Sequence, residues 1–157
     1  MSAGRGILFE LKSWAKYLLP SKYIAVYYGS PPSVVSRMLE IANCGPKDVV
    51  YDLGCGDGRV LIAAAQRGAQ AEGWELDPEL CAEAEATIAR AGLQGQCRVV
   101  RGDAARADVG RATIITLYLS EHGNRSLLQQ LRPRLQPGTR VVSNFFPVQG
   151  WEALLAS

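Results

Sequence analysis

The chain has 157 residues, 48% of them hydrophobic and 20% charged, which is enough to bury one core and too little for two full domains. A formal net charge of +2 gives no broad basic field of the kind that holds nucleic acid, and no apolar run reaches the roughly 20 residues that a bilayer-spanning helix needs. Cys44, Cys55, Cys81 and Cys97 stand singly, with no CxxC pair and no neighbouring histidine. That pattern predicts no metal centre and a reduced, intracellular setting, cytoplasmic or mitochondrial.

At the amino end Ile7, Leu8, Leu11, Trp14, Ala15, Leu18 and Leu19 recur at helical spacing around Lys12 and Lys16, predicting an amphipathic helix in an extension over residues 1–25. Three roles are open to it: a lid on the rest of the chain, contact with a membrane surface, or an organelle-targeting segment. The single acid Glu10 among Arg5, Lys12, Lys16 and Lys22 suits the last. Residues 26–157 form the main domain. Residues 22–29 read as an aromatic connector, and Ser30 as an N-cap ahead of Pro31 and Pro32 in the first turn of a helix reaching about Cys44. The pattern then alternates: strand 48–53, helix 58–68, strand 69–75, helix 78–91, strand 97–101, strand 113–119, helix 124–135 and strand 139–145. Such alternation predicts an α/β fold with a doubly wound, mostly parallel sheet covered on both faces. The near-continuous apolar runs VVYDL and ATIITLYL agree, because a strand covered on both sides has no wet face.

The most informative segment is VVYDLGCGDGRV, residues 49–60, where a buried strand ends in an acid and runs through Gly54, Gly56 and Gly58 into a helix. Glycine lets the backbone turn sharply and lets a ligand come close. The spacing is GxGxG, not the GxGxxG of dinucleotide binders, which argues against a nicotinamide-dependent oxidoreductase. A bland reading also exists, since any strand-to-helix turn in such a sheet can use glycine. Asp52 lies at the carboxyl end of the first strand, where open α/β sheets place their ligands, and no nearby cation in sequence accounts for it. A ligand bearing an ammonium would. Glu75, in GWELDP at the end of the second strand, stands where a carboxylate can hydrogen-bond ribose hydroxyls. With an anionic ribose site and no P-loop lysine, a phosphate-rich ligand is disfavoured, and a nucleoside with a cationic arm fits better. Asp103, in RGDAARAD after the third strand, is placed to meet an adenine amino group, or else simply to cap the turn that follows.

The set YDLGCGDGR, GWELDP, RGDA, ITLYLSEHGN and LRPRLQPGTRVVSN resembles the small protein-lysine methyltransferase group of class I S-adenosylmethionine-dependent methyltransferases, which has archaeal broad-specificity and mitochondrial FAM173-like members. The resemblance covers residues 26–151. It implies a Rossmann-like fold and S-adenosyl-L-methionine as methyl donor, leaving S-adenosyl-L-homocysteine. It also implies a lysine side chain of a protein substrate as acceptor; nucleic acid is disfavoured because the fourth strand ends Leu117-Tyr118-Leu119-Ser120, without the Asn/Asp-Pro-Pro-aromatic signature that base methyltransferases often show. By the same resemblance Asp52, Gly54 and Gly56 line the methionine part of the cofactor, Glu75 the ribose, and Asp103 with Ala104 the adenine, with Cys55, Gly58 and Leu117 also lining the cofactor. The segment from Tyr27 to Pro32, with Ser30 at its centre, is similar to the group's Tyr-x-Pro-Thr-Pro segment that closes over the cofactor.

Methyl transfer to an amine needs alignment in a dry site and no covalent nucleophile. Tyr118, at the end of the fourth strand, is a candidate for the acceptor pocket, where its ring can face a cation; packing against a covering helix is its other reading. Asn124 and Asn144 are candidates for orienting the amine, or are cap and turn residues. His122, the one histidine, falls in a predicted surface loop and reads as solvated. Two positions depart from the group: Ser33 stands in place of its usual acid after the Pro-Pro step, and Phe145 in place of its usual Asp or Glu after Ser-Asn. The antiparallel hairpin that normally follows the fifth strand is missing from the pattern, which leaves that strand as an edge. A small-molecule amine acceptor and a non-catalytic cofactor-binding module remain as alternatives.

Overall fold

A computed structural model of the chain describes residues 29–146 and Val148. The expected amino-terminal helix, Tyr27 and everything after Val148 lie outside the described residues. Helix α1, Pro32–Ile41, starts from Pro31 with Pro32 in its first turn and buries Val35, Met38 and Leu39 at helical spacing. Strand β1, Val49–Leu53, leads into α2, Arg59–Ala65, whose N-cap is Gly58. Strand β2, Gln70–Glu75, leads into α3, Pro78–Arg90, where the Asp77 side chain caps by accepting the Glu79 N–H. Strand β3, Cys97–Arg101, is followed by two short 3-10 turns, Ala104–Arg106 and Val109–Arg111. Strand β4, Ile114–Leu117, then passes into α4, Glu121–Leu131, a further 3-10 turn, Arg132–Arg134, and β5, Arg140–Ser143.

The strands lie in the order β3-β2-β1-β4-β5, and every pairing is parallel. The chain moves outward from β1 through β2 to β3, then returns to the other side of β1 as β4. A crevice opens at the carboxyl ends of β1 and β4, the usual ligand position in such sheets. On one face Val50, Ala71 and Ile114 pack with Val35 and Leu39 of α1, Leu61 and Ala64 of α2, and Ile88 of α3. On the other, Tyr51, Leu53, Ile115 and Leu117 meet Leu127, Leu128 and Leu131 of α4. Asp52 and Thr116 share the alternation of Val50 and Ile114, so two polar side chains top an otherwise apolar face.

At the opposite end of the sheet Asp48 gathers three elements. It accepts from the Gly45 N–H at 2.9 Å and the Thr113 hydroxyl at 2.7 Å and pairs with Arg140, which also donates to the Ala42 carbonyl at the end of α1. Burial pushes the Asp48 carboxyl up, but the Thr113 and Gly45 hydrogen bonds and the Arg140 charge outweigh it and hold it below its ordinary value.

Four local expectations are corrected. Ser30 is not the cap of α1, since Pro31 occupies that place without a side-chain hydrogen bond. Helix α1 stops at Ile41 because Asn43 turns left-handed, with φ 50°, and the Cys44 N–H returns to the Leu39 carbonyl. Helix α4 begins at Glu121, not at residue 124, because the Ser120 hydroxyl accepts the Gly123 N–H; His122 is therefore exposed in a first helical turn, not a loop. Strands β4 and β5 are shorter than expected, so Tyr118, Leu119, Asn144 and Phe145 all lie beyond the sheet.

Candidate functional site

The turn after β1 is bound to β2 by its own backbone. The N–H groups of Gly54 and Cys55 both donate to the Trp74 carbonyl, at 2.8 and 3.0 Å. The Gly56 N–H donates to Glu75 Oε2 at 3.1 Å and the Asp77 N–H to Glu75 Oε1 at 2.9 Å, so Glu75 ties the turn to the start of α3. Gly54 has φ 92° and is exposed, and a Cβ there would come within 2.7 Å of Leu119 Cδ2. That open backbone under Leu119 is a place where a ligand can approach and a side chain cannot. Cys55 packs down on Gly73, where an added Cβ would lie 2.6 Å from the thiol sulfur. Burial pushes the Cys55 thiol up, and the charges of Asp52 and Glu75 push it further, so this sulfur stays protonated and unreactive. Gly58 closes the turn, its N–H donating to the Cys55 carbonyl at 2.9 Å.

Asp52 is 6% exposed and accepts the Thr116 hydroxyl at 2.7 Å. Burial raises its carboxyl to about 7; the Thr116 bond lowers it, while Glu75 and Asp57 add repulsion. Such a group seeks a cation. From the other side Arg59, held by Asp57 through Nε at 2.9 Å and Nη2 at 2.6 Å, donates through Nη1 to the Ser30 carbonyl at 2.7 Å. The Asn144 amide donates to Ser30 Oγ at 3.2 Å, so buried Ser30 is fastened to both the glycine turn and the end of β5.

Asp52, Gly54, Cys55, Gly56, Gly58, Glu75 and Ser30 thus gather at the carboxyl ends of β1 and β2. Asp103 stands beside them at the end of β3, exposed, one oxygen capping the Ala105 N–H at 2.9 Å, with Ala104 half-buried. Tyr118 and Asn144 border the β4 and β5 side. The Tyr118 ring stacks on Phe146 with centroids 6.2 Å apart, and Phe146 meets Phe145 edge-on at 5.1 Å. Leu117 and Asn124 are placed differently. The Leu117 side chain is wholly in the core, and only its carbonyl reaches out, to the Asn144 N–H at 2.9 Å. Asn124 is fully buried, accepting the Leu119 N–H at 3.3 Å and donating to Ser143 Oγ at 2.8 Å and the Phe146 carbonyl at 3.2 Å. Its amide thereby shapes the rim from behind. Thr116, Leu119 and the Ser30 contact of Arg59 were not singled out from sequence; Thr116 carried one signal, a lone hydroxyl in an apolar strand.

A parallel sheet whose switch-point crevice holds a buried carboxylate, an open glycine turn and a second carboxylate on the next strand is the arrangement expected of a class I S-adenosylmethionine-dependent methyltransferase, and similarity to known proteins places the chain in that class. Residues 52–154 match the ANTKMT methyltransferase domain, and the chain belongs to that family. It is 43% identical to a protein-lysine N-methyltransferase of Saccharolobus islandicus over 80% of this chain and 79% of the relative. It is 31% identical to the adenine nucleotide translocase lysine N-methyltransferase of Mus musculus over 85% of this chain, yet spans only 58% of that protein. Among solved structures, an RNA methyltransferase of Salinibacter ruber in complex with S-adenosyl-L-homocysteine superposes with a TM-score of 0.77 at 42% identity, covering 79% of this chain and 82% of that one. S-adenosylmethionine is therefore the cofactor, and the fold is the Rossmann-like one of these enzymes.

Proposed function

We infer that the chain transfers a methyl group from S-adenosylmethionine to the side-chain amine of a protein lysine. The observation that carries this reading is the 43% identity, over four fifths of both chains, to the archaeal protein-lysine N-methyltransferase. The residues present fit the cofactor. Asp52 offers a buried anion for its ammonium, Glu75 retains lone pairs for ribose hydroxyls beyond the two that bind backbone N–H groups, and the bare backbone of Gly54 admits close approach. Asp103 and Ala104 suit the adenine. When bound, the cofactor supplies an electrophilic methyl on a sulfonium sulfur.

The rest of the chemistry belongs to the acceptor. A lysine amine, with a reference pKa of about 10.4, must shed its proton before it can attack, and a dry aromatic wall favours the neutral form. Tyr118, backed by Phe146, supplies that wall and faces the charge that develops on nitrogen. Asn144 frames the same edge through Ser30, and Asn124 holds the rim. Residues 26–157 are read as the catalytic domain, and residues 1–25 as an extension serving as a lid, a membrane-surface contact or a targeting segment. No described helix is long and apolar enough to cross a membrane. All four cysteines are free, which supports an intracellular site, cytoplasmic or mitochondrial.

The Salinibacter neighbour favours a second reading, an RNA acceptor. Both are tested by incubating the purified chain with methyl-labelled S-adenosylmethionine and a cell extract. Label that survives ribonuclease, disappears with protease and maps to lysine by mass spectrometry is expected. Label confined to the ribonuclease-sensitive fraction would overturn the lysine assignment, and cofactor uptake without any label would make the chain a binding module.

A further inference from the structure

Asp52 and Thr116 are register partners across the β1–β4 pair, side by side at the carboxyl ends of both strands. Both are buried, Thr116 completely. The hydroxyl has one hydrogen and two acceptors in reach: Asp52 Oδ1 at 2.7 Å and the Tyr51 carbonyl at 3.5 Å. The shorter contact takes it whenever Asp52 is ionised. Among the described residues, no other group donates a hydrogen bond to Asp52. The opposite register partner, Gly73 on β2, brings no side chain. The charged neighbours are hostile, Glu75 from the end of β2 and Asp57 from the glycine turn, and the Cys55 thiol beside them is neutral. A buried anion among acids, kept by a single donor, is an arrangement that packing alone does not require: valine fills the same space in a strand.

We propose that Thr116 is a positioning residue for cofactor binding, holding one oxygen of Asp52 against β4 so that the other meets the ammonium of the methionyl arm. The proposal rests on the cofactor assignment above. It separates the two ends of the ligand, because the ammonium depends on Asp52 and the nucleoside does not. S-adenosylhomocysteine carries both ends, whereas 5′-methylthioadenosine keeps the nucleoside and lacks the amino-acid arm.

The test is calorimetric titration of the full chain with each compound for the wild type, Thr116→Val and Thr116→Ser. Loss of a hydrogen bond to a charged group weakens S-adenosylhomocysteine binding about tenfold in Thr116→Val. Methylthioadenosine binding stays within twofold, and serine restores the first affinity. The pH below which S-adenosylhomocysteine affinity declines also moves upward in the valine variant, since the ionised carboxylate has lost its donor. Where the valine chain is unstable, Thr116→Ala carries the same comparison. Equal loss for both compounds, or no loss for either, overturns the proposal while leaving the cofactor assignment standing. A wild type that takes up neither compound overturns both.

Discussion

Replacing Glu75 by glutamine removes one charge and changes no volume, and its effect can be worked out atom by atom. The carboxylate accepts two backbone N–H groups, from Gly56 at 3.1 Å and Asp77 at 2.9 Å. An amide has one acceptor atom, so its NH2 must face one of those donors. The glycine turn loses one anchor, and the ribose loses a charged acceptor. Hydrogen bonds to charged groups contribute about 1.5–3 kcal/mol each, so Glu75→Gln is expected to weaken S-adenosylhomocysteine by about 2–3 kcal/mol, or roughly 30- to 150-fold. Loss of the turn anchor lowers the melting temperature by about 3–6 °C. Calorimetry with S-adenosylhomocysteine and its 2′-deoxy analogue gives a cycle in which the wild type distinguishes the two ligands and the variant no longer does. An affinity within threefold of the wild type would refute the assignment of Glu75 to the ribose.

Three further outcomes are expected. Asn124→Ala strands the half-buried Leu119 N–H and leaves a small cavity at the buried Asn124 site, costing about 2–4 kcal/mol, which a urea titration reads directly as a lower midpoint. Asp48 has a folded pKa below its unfolded one, so its stabilisation is present above about pH 4 and lost as pH falls through the folded value. The stability gap between wild type and Asp48→Asn should therefore be flat near neutrality and close in acid; a gap that widens in acid would contradict the Arg140 pairing. Asp52, raised to about 7, has the opposite sign: the stability associated with its protonated form is present below about pH 4 and lost by pH 7, so a cationic ligand must drive the proton off. Titrations at pH 6 in buffers of different ionisation enthalpy should reveal proton release on cofactor binding that vanishes by pH 9.

The alternation of strands and helices was legible because each strand is covered on both sides and each helix buries one stripe. The glycine turn announced the crevice, since Asp52 and Glu75 end consecutive parallel strands. What escaped the sequence depends on register and on local backbone choices. Thr116 matters only because β4 sets it opposite Asp52, a fact that no one-dimensional pattern holds. The early start of α4 was available in Ser120, yet the longer apolar run through Leu119 masked it. The end of β5 was hidden because Phe145 takes φ 65°, an unusual choice for a bulky residue, and the Phe146 N–H turns back to the Asn144 carbonyl at 2.7 Å. No glycine marked that reversal. The expected amine contact of Asn124 reflects the same blindness: an asparagine near a site can serve its scaffold, and only three-dimensional contacts show that all its bonds run inward.

Strand β5 is a lever with a short arm. Its foot, Arg140, is clasped by Asp48 and by the carbonyl that ends α1, and only three and four residues later Ser143 and Asn144 steady the aromatic rim and the Ser30 strap. Slack introduced at that remote foot would be felt at Phe146 and at Ser30. A change near Asp48 would thus act on the mouth of the crevice from the opposite end of the sheet.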